Sequence, residues 1–298
     1  MTIAVGRVLY IDGKADVNKK IEDAAIACAD PALATSGNNL TYTVKFGKRE
    51  LKADDWNVVV LPFNITPYEF TQAIDGYAIF NTLKSANTSN NTVKFGLELA
   101  NLPANEPFLV KPLKAVKFET ETTSGTGASA TTTTTNIEFT GRTIKYDKIP
   151  QKTDVDGVKF IGTYVDTNVL VAGDDATEAW GYVNDGGDAG KKIMFLGYPK
   201  NGGKGQFVTA TNEDGTQSYN ILPLTFTKAY FDFNKTSLNA PSIIVEEADG
   251  STTAISGITA DGVAVKAEGW YTIDGMKLNA APTQKGVYIN NGKKIVVK

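Results

Sequence analysis

Residues 56–63 read WNVVVLPF. It is a short apolar run rich in β-branched valines. An apolar run of this length predicts a strand covered on both faces, and we expect it to be a central strand. Pro62 has no N–H to donate to a neighbouring strand, so it predicts the place where this strand ends or bulges.

Alternating residues on both sides of this stretch predict further strands. Residues 40–46 and 93–99 place apolar side chains at every second position, which is typical of strands with one buried face. Near the end of the chain, Asn291-Gly292 separates two apolar runs, and Asn-Gly in this position is a strong hairpin signal. Many short strands with almost no helix favour an all-β architecture.

One segment has the period of a helix. Ile21, Ala24, Ala25 and Cys28 recur at spacings of three and four residues, and Asp30-Pro31 ends the pattern. We therefore expect an all-β chain, a β-sandwich of jelly-roll or immunoglobulin-like antiparallel sheets, with one short N-terminal helix and a C-terminal β-hairpin module. Cys28, the only cysteine, is expected to be a buried apolar side chain of that helix.

Changes in composition suggest three parts. We expect a strand and short helix in residues 1–35, a β-sandwich region in residues 36–240 that divides into two sub-domains near 150 or stays whole, and a small β module in residues 241–298. Residues 119–135 are rich in Thr, Ser, Gly and Ala and cannot bury a core, so they predict a long mobile loop at a hairpin tip. A solvated spacer is the preferred interpretation, with an O-glycosylated or binding loop as the alternative.

Composition also excludes several functions. The 298 residues carry 30 basic and 33 acidic side chains without a block of like charge, which predicts no nucleic-acid partner. No apolar stretch approaches the ~20 residues of a membrane span. The chain has no histidine, which removes Ser-His-Asp and Cys-His catalysis and the common zinc and haem sites. We therefore predict neither an enzyme nor a cofactor.

A candidate ligand site lies in the Gly- and Asp-rich segment 173–190. Trp180 and Tyr182 would offer an aromatic platform for a sugar ring, and Asp185 and Asp188 would supply hydrogen-bond acceptors. The alternative is that Trp180 folds back onto its own sandwich. Trp56 and Trp270 occur in apolar strands and are predicted to be core residues.

Acidic turns that contain glycine raise the question of calcium. They lack the alternating ligands and terminal glutamate of an EF-hand loop, so we interpret them as β-turns and predict no metal site. These turns are residues 154–157, 174–175, 185–188 and 212–215.

Four strand sequences resemble a recurring module of secreted and surface proteins of gut Bacteroidota. In that module a WNTLCLPF-like strand precedes a KPYLIK-like strand, a GTY strand and an RAYF strand. Here the corresponding segments are residues 56–63, 108–112, 160–164 and 228–231, with Phe108 in place of the tyrosine and Lys228 in place of the arginine.

The C-terminal segment is similar to the tail of the same proteins and to the end of type IX secretion sorting domains. The similar residues are 271–277, 285–289 and 292–298. The resemblance implies export to the cell surface, although residues 1–6 do not have the pattern of a signal peptide. It carries no biochemical role that could be transferred to this chain.

Together these observations predict an exported, non-enzymatic cell-surface protein with an adhesion or glycan-binding role. Its expected partners are glycans or surface proteins of a host or of bacteria. The first alternative is a structural spacer or a fimbria-like subunit that assembles by donating a strand. The second alternative is a carboxylate-dependent glycoside hydrolase, which would need two acidic side chains in one cleft.

Overall fold

The computed structural model of the chain describes fifteen segments. They are residues 7–34, 39–126, 130–153, 157–170, 193–197, 206–209, 221–233, 236–238, 241–247, 252–255, 270–272, 277–278, 281–283, 285–290 and 293–297.

Strands dominate these segments, and the all-β, sandwich-like fold class is confirmed. The α-helices in the described part of the chain are α1 (Val17–Ala29) and α2 (Pro67–Ala73). The strands are β1 (Arg7–Ile11), β2 (Tyr42–Phe46), β3 (Glu50–Leu51), β4 (Asn57–Val59), β5 (Ala78–Asn87), β6 (Thr92–Leu97), β7 (Phe108–Pro112), β8 (Val116–Lys117), β9 (Glu119–Ser124), β10 (Thr131–Asn136), β11 (Glu138–Arg142), β12 (Gln151–Thr153), β13 (Lys159–Gly162), β14 (Thr167–Leu170), β15 (Ile193–Gly197), β16 (Gln206–Thr209), β17 (Ile221–Leu224), β18 (Ala229–Asp232), β19 (Ser242–Glu246), β20 (Thr252–Ile255), β21 (Trp270–Thr272), β22 (Lys277–Leu278), β23 (Gly286–Asn290) and β24 (Lys293–Val297).

A central sheet of strands in the order β20-β19-β6-β5-β7-β4 separates two apolar cores. Successive side chains of a strand point to opposite faces, and β7 shows the consequence. Phe108 and Val110 enter one core, whereas Leu109 enters the other. Strand β4 does the same, with Val59 in the first core and Val58 in the second.

The two cores are closed by different elements. The first core lies between the central sheet, the sheet β1-β2-β11 and the two helices, and is rich in phenylalanine rings such as Phe70 and Phe139, with centroids 5.6 Å apart. The second core lies between the central sheet and the sheet β12-β13-β18-β15-β16. There the rings of Phe160 and Phe231 stack with centroids 4.5 Å apart.

The WNVVVLPF stretch is buried along its whole length, as the sequence predicted. Its predicted place at the centre of the sheet is wrong, because β4 is an edge strand whose ladder partner is β7. A strand can be covered on both faces and still have a free edge. Here the free edge is closed by other groups: Arg49 donates to the carbonyl of Val58, and the amide of Val60 donates to the carbonyl of Thr227.

Helix α1 is confirmed, and Cys28 is buried on its apolar face, where its sulfur accepts a hydrogen bond of 3.3 Å from the amide of Ile144. Helix α2 was not predicted. It begins with a capping box in which Thr66 Oγ1 accepts from the Glu69 amide at 3.1 Å and Glu69 Oε2 accepts from the Thr66 amide at 2.9 Å. With seven residues, α2 is too short to show a helical period in the sequence.

The threonine-rich segment forms the predicted hairpin, but most of it is a ribbon of two paired strands, so its prediction as a loop is wrong. Strands β9 and β10 pair antiparallel from Glu119 opposite Asn136 to Ser124 opposite Thr131. Threonine is β-branched and favours extended structure, and the ladder satisfies backbone groups that have no core to cover them. Nearly every side chain of the ribbon is exposed. At its base, Glu121 forms a 2.8 Å ion pair with Lys48.

Two strands of the predicted C-terminal module belong to the central sheet. Strand β19 runs parallel to β6 and pairs antiparallel with β20. A separate sheet contains the remaining strands in the order β22-β21-β23-β24. Among the described residues, no helix has the length and apolar character needed to cross a membrane.

The buried WNVVVLPF stretch should be sensitive to truncation. Leu61 is 1% exposed in the first core, whereas Leu99 is 83% exposed. We expect Leu61→Ala to lower the free energy of unfolding by about 2–5 kcal/mol, because it removes buried surface and leaves a cavity. The matched control Leu99→Ala should change it by less than about 0.5 kcal/mol. Urea denaturation of both variants measures the difference, and equal losses would contradict the described burial.

Candidate functional site

The residues predicted from the sequence to bind a ligand are Trp180, Tyr182, Asp185 and Asp188, and all four lie outside the residues that the structure describes. The glycan-binding role of segment 173–190 therefore stays a prediction. Of the acidic turns, residues 174–175, 185–188 and 212–215 lie outside the described residues as well, and so do residues 154–156 of the turn 154–157.

A different group of side chains surrounds a cavity of about 430 Å³ at the free edge of β4. Three of its four basic residues, Arg49 and Lys52 on either side of β3 and Lys228 immediately before β18, come from two distant parts of the chain. We call this place the cationic cavity. The other residues that line it are Lys48, Glu50, Asn57, Asp166, Thr225 and Phe226.

Arg49 is held in place by three acceptors. Its Nε donates to Thr227 Oγ1 at 3.2 Å, and its two terminal nitrogens donate to the carbonyls of Glu50 at 2.6 Å and Val58 at 3.0 Å. These hydrogen bonds fix the position of the guanidinium. A planar guanidinium with this many fixed bonds has little freedom left, which makes it a preorganised charge.

Thr227 positions the neighbouring Lys228. It has φ of +60°, a left-handed conformation that is rare for a β-branched residue and costs about 1–3 kcal/mol. Three hydrogen bonds maintain it: its amide donates to Thr163, its carbonyl accepts from Val60, and its hydroxyl accepts from Arg49. The surrounding structure therefore fixes the backbone from which the Lys228 side chain extends.

The Lys228 side chain is half-buried in the wall of the cavity. Within the described segments, its ammonium takes part in no ion pair. Burial, and then the positive charges of Arg49 and Lys52, lower the pKa of Lys228 to about 8. An anion placed among these three cations would relieve their mutual repulsion and would itself be attracted.

The cavity also contains hydrogen-bond acceptors. Asp166 accepts from the amide of Phe226 at 2.9 Å, and Glu50 lies exposed beside Arg49. The side-chain amide of Asn57 forms two hydrogen bonds with the backbone of Lys52. Its oxygen accepts from the Lys52 N–H at 2.8 Å, and its nitrogen donates to the Lys52 carbonyl at 3.0 Å, so it shapes the wall near Lys52. Lys48, at the rim, is paired with Glu121 of the threonine ribbon. The lining thus combines a cationic centre with carboxylates that can accept hydrogen bonds from hydroxyl groups.

No feature of the sequence predicted this cavity. In the sequence, Lys228 stands out only as a departure from the arginine of the resembling module. Arg49 and Thr227 are 178 residues apart, and they meet because both complete hydrogen bonds at the edge of β4. Among the described residues, no group of three or more His, Cys, Asp or Glu is placed to hold a metal ion.

Comparison with protein-family models found no match, and comparisons with curated proteins and with solved structures found none at the level of significance applied. The chemistry of the cationic cavity therefore has to be inferred from its own residues.

The lowered pKa of Lys228 has a measurable effect on stability. Between its folded pKa of about 8 and the ordinary lysine value, the unfolded chain binds more protons at this residue than the folded chain does, so stability rises with pH over that interval. Lys228→Met should remove this rise and should be more stable than the parent protein at pH 7. Urea denaturation at several pH values from 7 to 10 compares the two proteins.

The control for this experiment is Lys94→Met, since Lys94 is an exposed lysine of β6 that does not line the cavity. It removes one lysine charge without changing the cavity. If the stabilities of the parent protein and of Lys228→Met changed with pH in the same way, the charge of Lys228 would not be destabilised in the folded state.

Proposed function

We propose that this chain is a non-enzymatic binding module of a bacterial cell surface and that its cationic cavity binds an acidic glycan. The observation that carries the proposal is the convergence of Arg49, Lys52 and Lys228 on one cavity, with Arg49 held in place by hydrogen bonds and Lys228 without an ion pair in the described segments. A bound carboxylate or sulfate would be attracted by these three cations.

The mixed lining favours a sugar acid over a bare inorganic anion. A sugar acid presents one charged group together with several hydroxyls. Arg49 and Lys228 suit the charged group, because charge-assisted hydrogen bonds are about twice as strong as neutral ones. Glu50 and Asp166 suit the hydroxyls, since a carboxylate accepts hydrogen bonds from neutral donors and repels a second anion.

The cell-surface location rests on the resemblance described above, in the strand sequences and in the C-terminal tail. Glycans are the abundant acidic polymers at such a surface, and a module that binds them would serve adhesion or capture. The absence of histidine from the sequence supports a binding role, because no imidazole is present to act as a general base.

The test is calorimetric titration with a short oligogalacturonate at pH 7 and with its methyl ester, which has the same hydroxyls and no charge. We expect the acid to bind and the ester to bind at least about tenfold more weakly. Arg49→Met and Lys228→Met should each weaken binding of the acid by about tenfold or more. The control Lys94→Met should leave the affinity unchanged. Equal affinity for acid and ester, or full binding by both cavity variants, would refute the proposal.

The affinity for the oligogalacturonate should also depend on pH. An anion binds best to protonated Lys228, so affinity should fall as the pH rises through about 8. Lys228→Met should show a flatter profile. Titration of the oligogalacturonate at pH 6.5, 8 and 9.5 provides the measurement, and an affinity that rises with pH would contradict this role of Lys228.

The same titration with one further variant, and an analysis of the titrated oligosaccharide, test the predicted segment 173–190 and the hydrolase alternative. Trp180→Ala tests the predicted segment 173–190: if this variant alone loses binding, the ligand site is there and not in the cationic cavity. Analysis of the oligosaccharide after prolonged incubation tests the hydrolase alternative, because Glu50 and Asp166 both line the cavity. Shortened products would replace the binding role with a catalytic one.

A further inference from the structure

We propose that Lys228 captures anionic carbonyl compounds covalently, by forming an imine with a 2-oxo acid or with the open-chain form of an acidic sugar. This inference rests on the proposed function, because the cations that would hold an acidic glycan also hold the carboxylate of such a compound. It adds a covalent step and a named nucleophile to that site.

The position of Lys228 meets the first requirement for such a nucleophile. Its side chain lines a cavity of about 430 Å³, which has room for a small organic acid. Its backbone is fixed on both sides, by the left-handed Thr227 before it and by the 3.1 Å hydrogen bond from the Thr163 amide to its own carbonyl. No carboxylate in the described segments forms an ion pair that would hold the amine in its protonated form.

The neighbouring cations meet the second requirement, which is orientation. In a 2-oxo acid the carbonyl carbon is bonded directly to the carboxylate carbon. A carboxylate bound beside Arg49 and Lys52 would therefore place the carbonyl carbon in the same cavity that Lys228 lines. Holding two reactants together in this way replaces a bimolecular collision with a local one.

The reactivity of the amine meets the third requirement. Burial and the positive charges of Arg49 and Lys52 lower the pKa of Lys228, so roughly a tenth of its amines are neutral at pH 7, far more than for an ordinary lysine. Desolvation and cationic neighbours are the recognised means of activating a lysine for imine formation. Of the other charged groups lining the cavity, Lys48 is paired with Glu121, while Glu50 and Asp166 add negative charge at the wall.

The reaction needs no additional reagent. The neutral nitrogen of Lys228 attacks the carbonyl carbon, a C–N bond forms, and one proton moves from nitrogen to oxygen to give a carbinolamine. Loss of the hydroxyl group with the second nitrogen proton releases one water and leaves the imine. No electrons are exchanged with an external oxidant or reductant, and hydrolysis reverses the sequence.

Reductive trapping tests the proposal. The intact protein is incubated at pH 7 with pyruvate and cyanoborohydride, digested, and mapped by mass spectrometry. Acetone is the matched neutral probe, since it carries a methyl group where pyruvate has its carboxylate. We expect pyruvate to label Lys228 at least about tenfold faster than Lys94, and acetone to show a much smaller preference. Arg49→Met should slow labelling by pyruvate more than labelling by acetone.

Two further arms make the outcome decisive. Lys228→Arg keeps a positive charge without a nucleophilic amine, so it should give no adduct at position 228. If pyruvate labelled Lys228 and Lys94 at equal rates, the imine proposal would be overturned. If oligogalacturonate binds and Lys228 is not trapped, the imine proposal fails and the proposed function stands. If trapping occurs without oligogalacturonate binding, the imine proposal stands and the glycan-binding function fails.

Discussion

Burial of the central sheet on both faces is the constraint on which the rest of the structure depends. Because neighbouring side chains of β4 and β7 enter different cores, both strands must be apolar at successive positions. The free edge of β4 also presents polar backbone groups, and such groups are costly when buried without hydrogen-bond partners. The guanidinium of Arg49 and the carbonyl of Thr227 satisfy two of them. The cationic cavity is thus assembled where the core requires hydrogen-bond partners.

The sequence pattern predicted where strands and helices lie better than it predicted which strands pair with each other. Alternation and apolar runs report which faces of a strand are covered, so the strands around the WNVVVLPF stretch and the helix α1 were predictable. They do not report which strands pair, and this is why an edge strand was predicted to be central. The threonine ribbon shows a different limit, since its composition resembles a loop while the β-branched side chains favour strands. Helix α2 could have been found from its Thr66-Pro67-Tyr68-Glu69 start.

The cationic cavity was not predictable, because none of its residues forms a local motif. Arg49, Lys52 and Lys228 are ordinary surface residue types in the sequence, and only the closing of the β4 edge brings them together. The left-handed conformation of Thr227 is equally hidden, since a sequence reader expects glycine or asparagine at such a position. The segment that did have a recognisable signal, around Trp180, has composition as its sole support.

The parallel pairing of β6 with β19 has a consequence for how the chain folds. Residues 92–95 pair with residues 242–245, so the middle of the central sheet cannot form until a segment about 150 residues later has been synthesised. Until then β6 has an open edge beside apolar side chains, a state prone to mispairing. Contacts this distant slow folding. We therefore expect this edge of a nascent chain to stay unpaired until residues 242–245 have been synthesised.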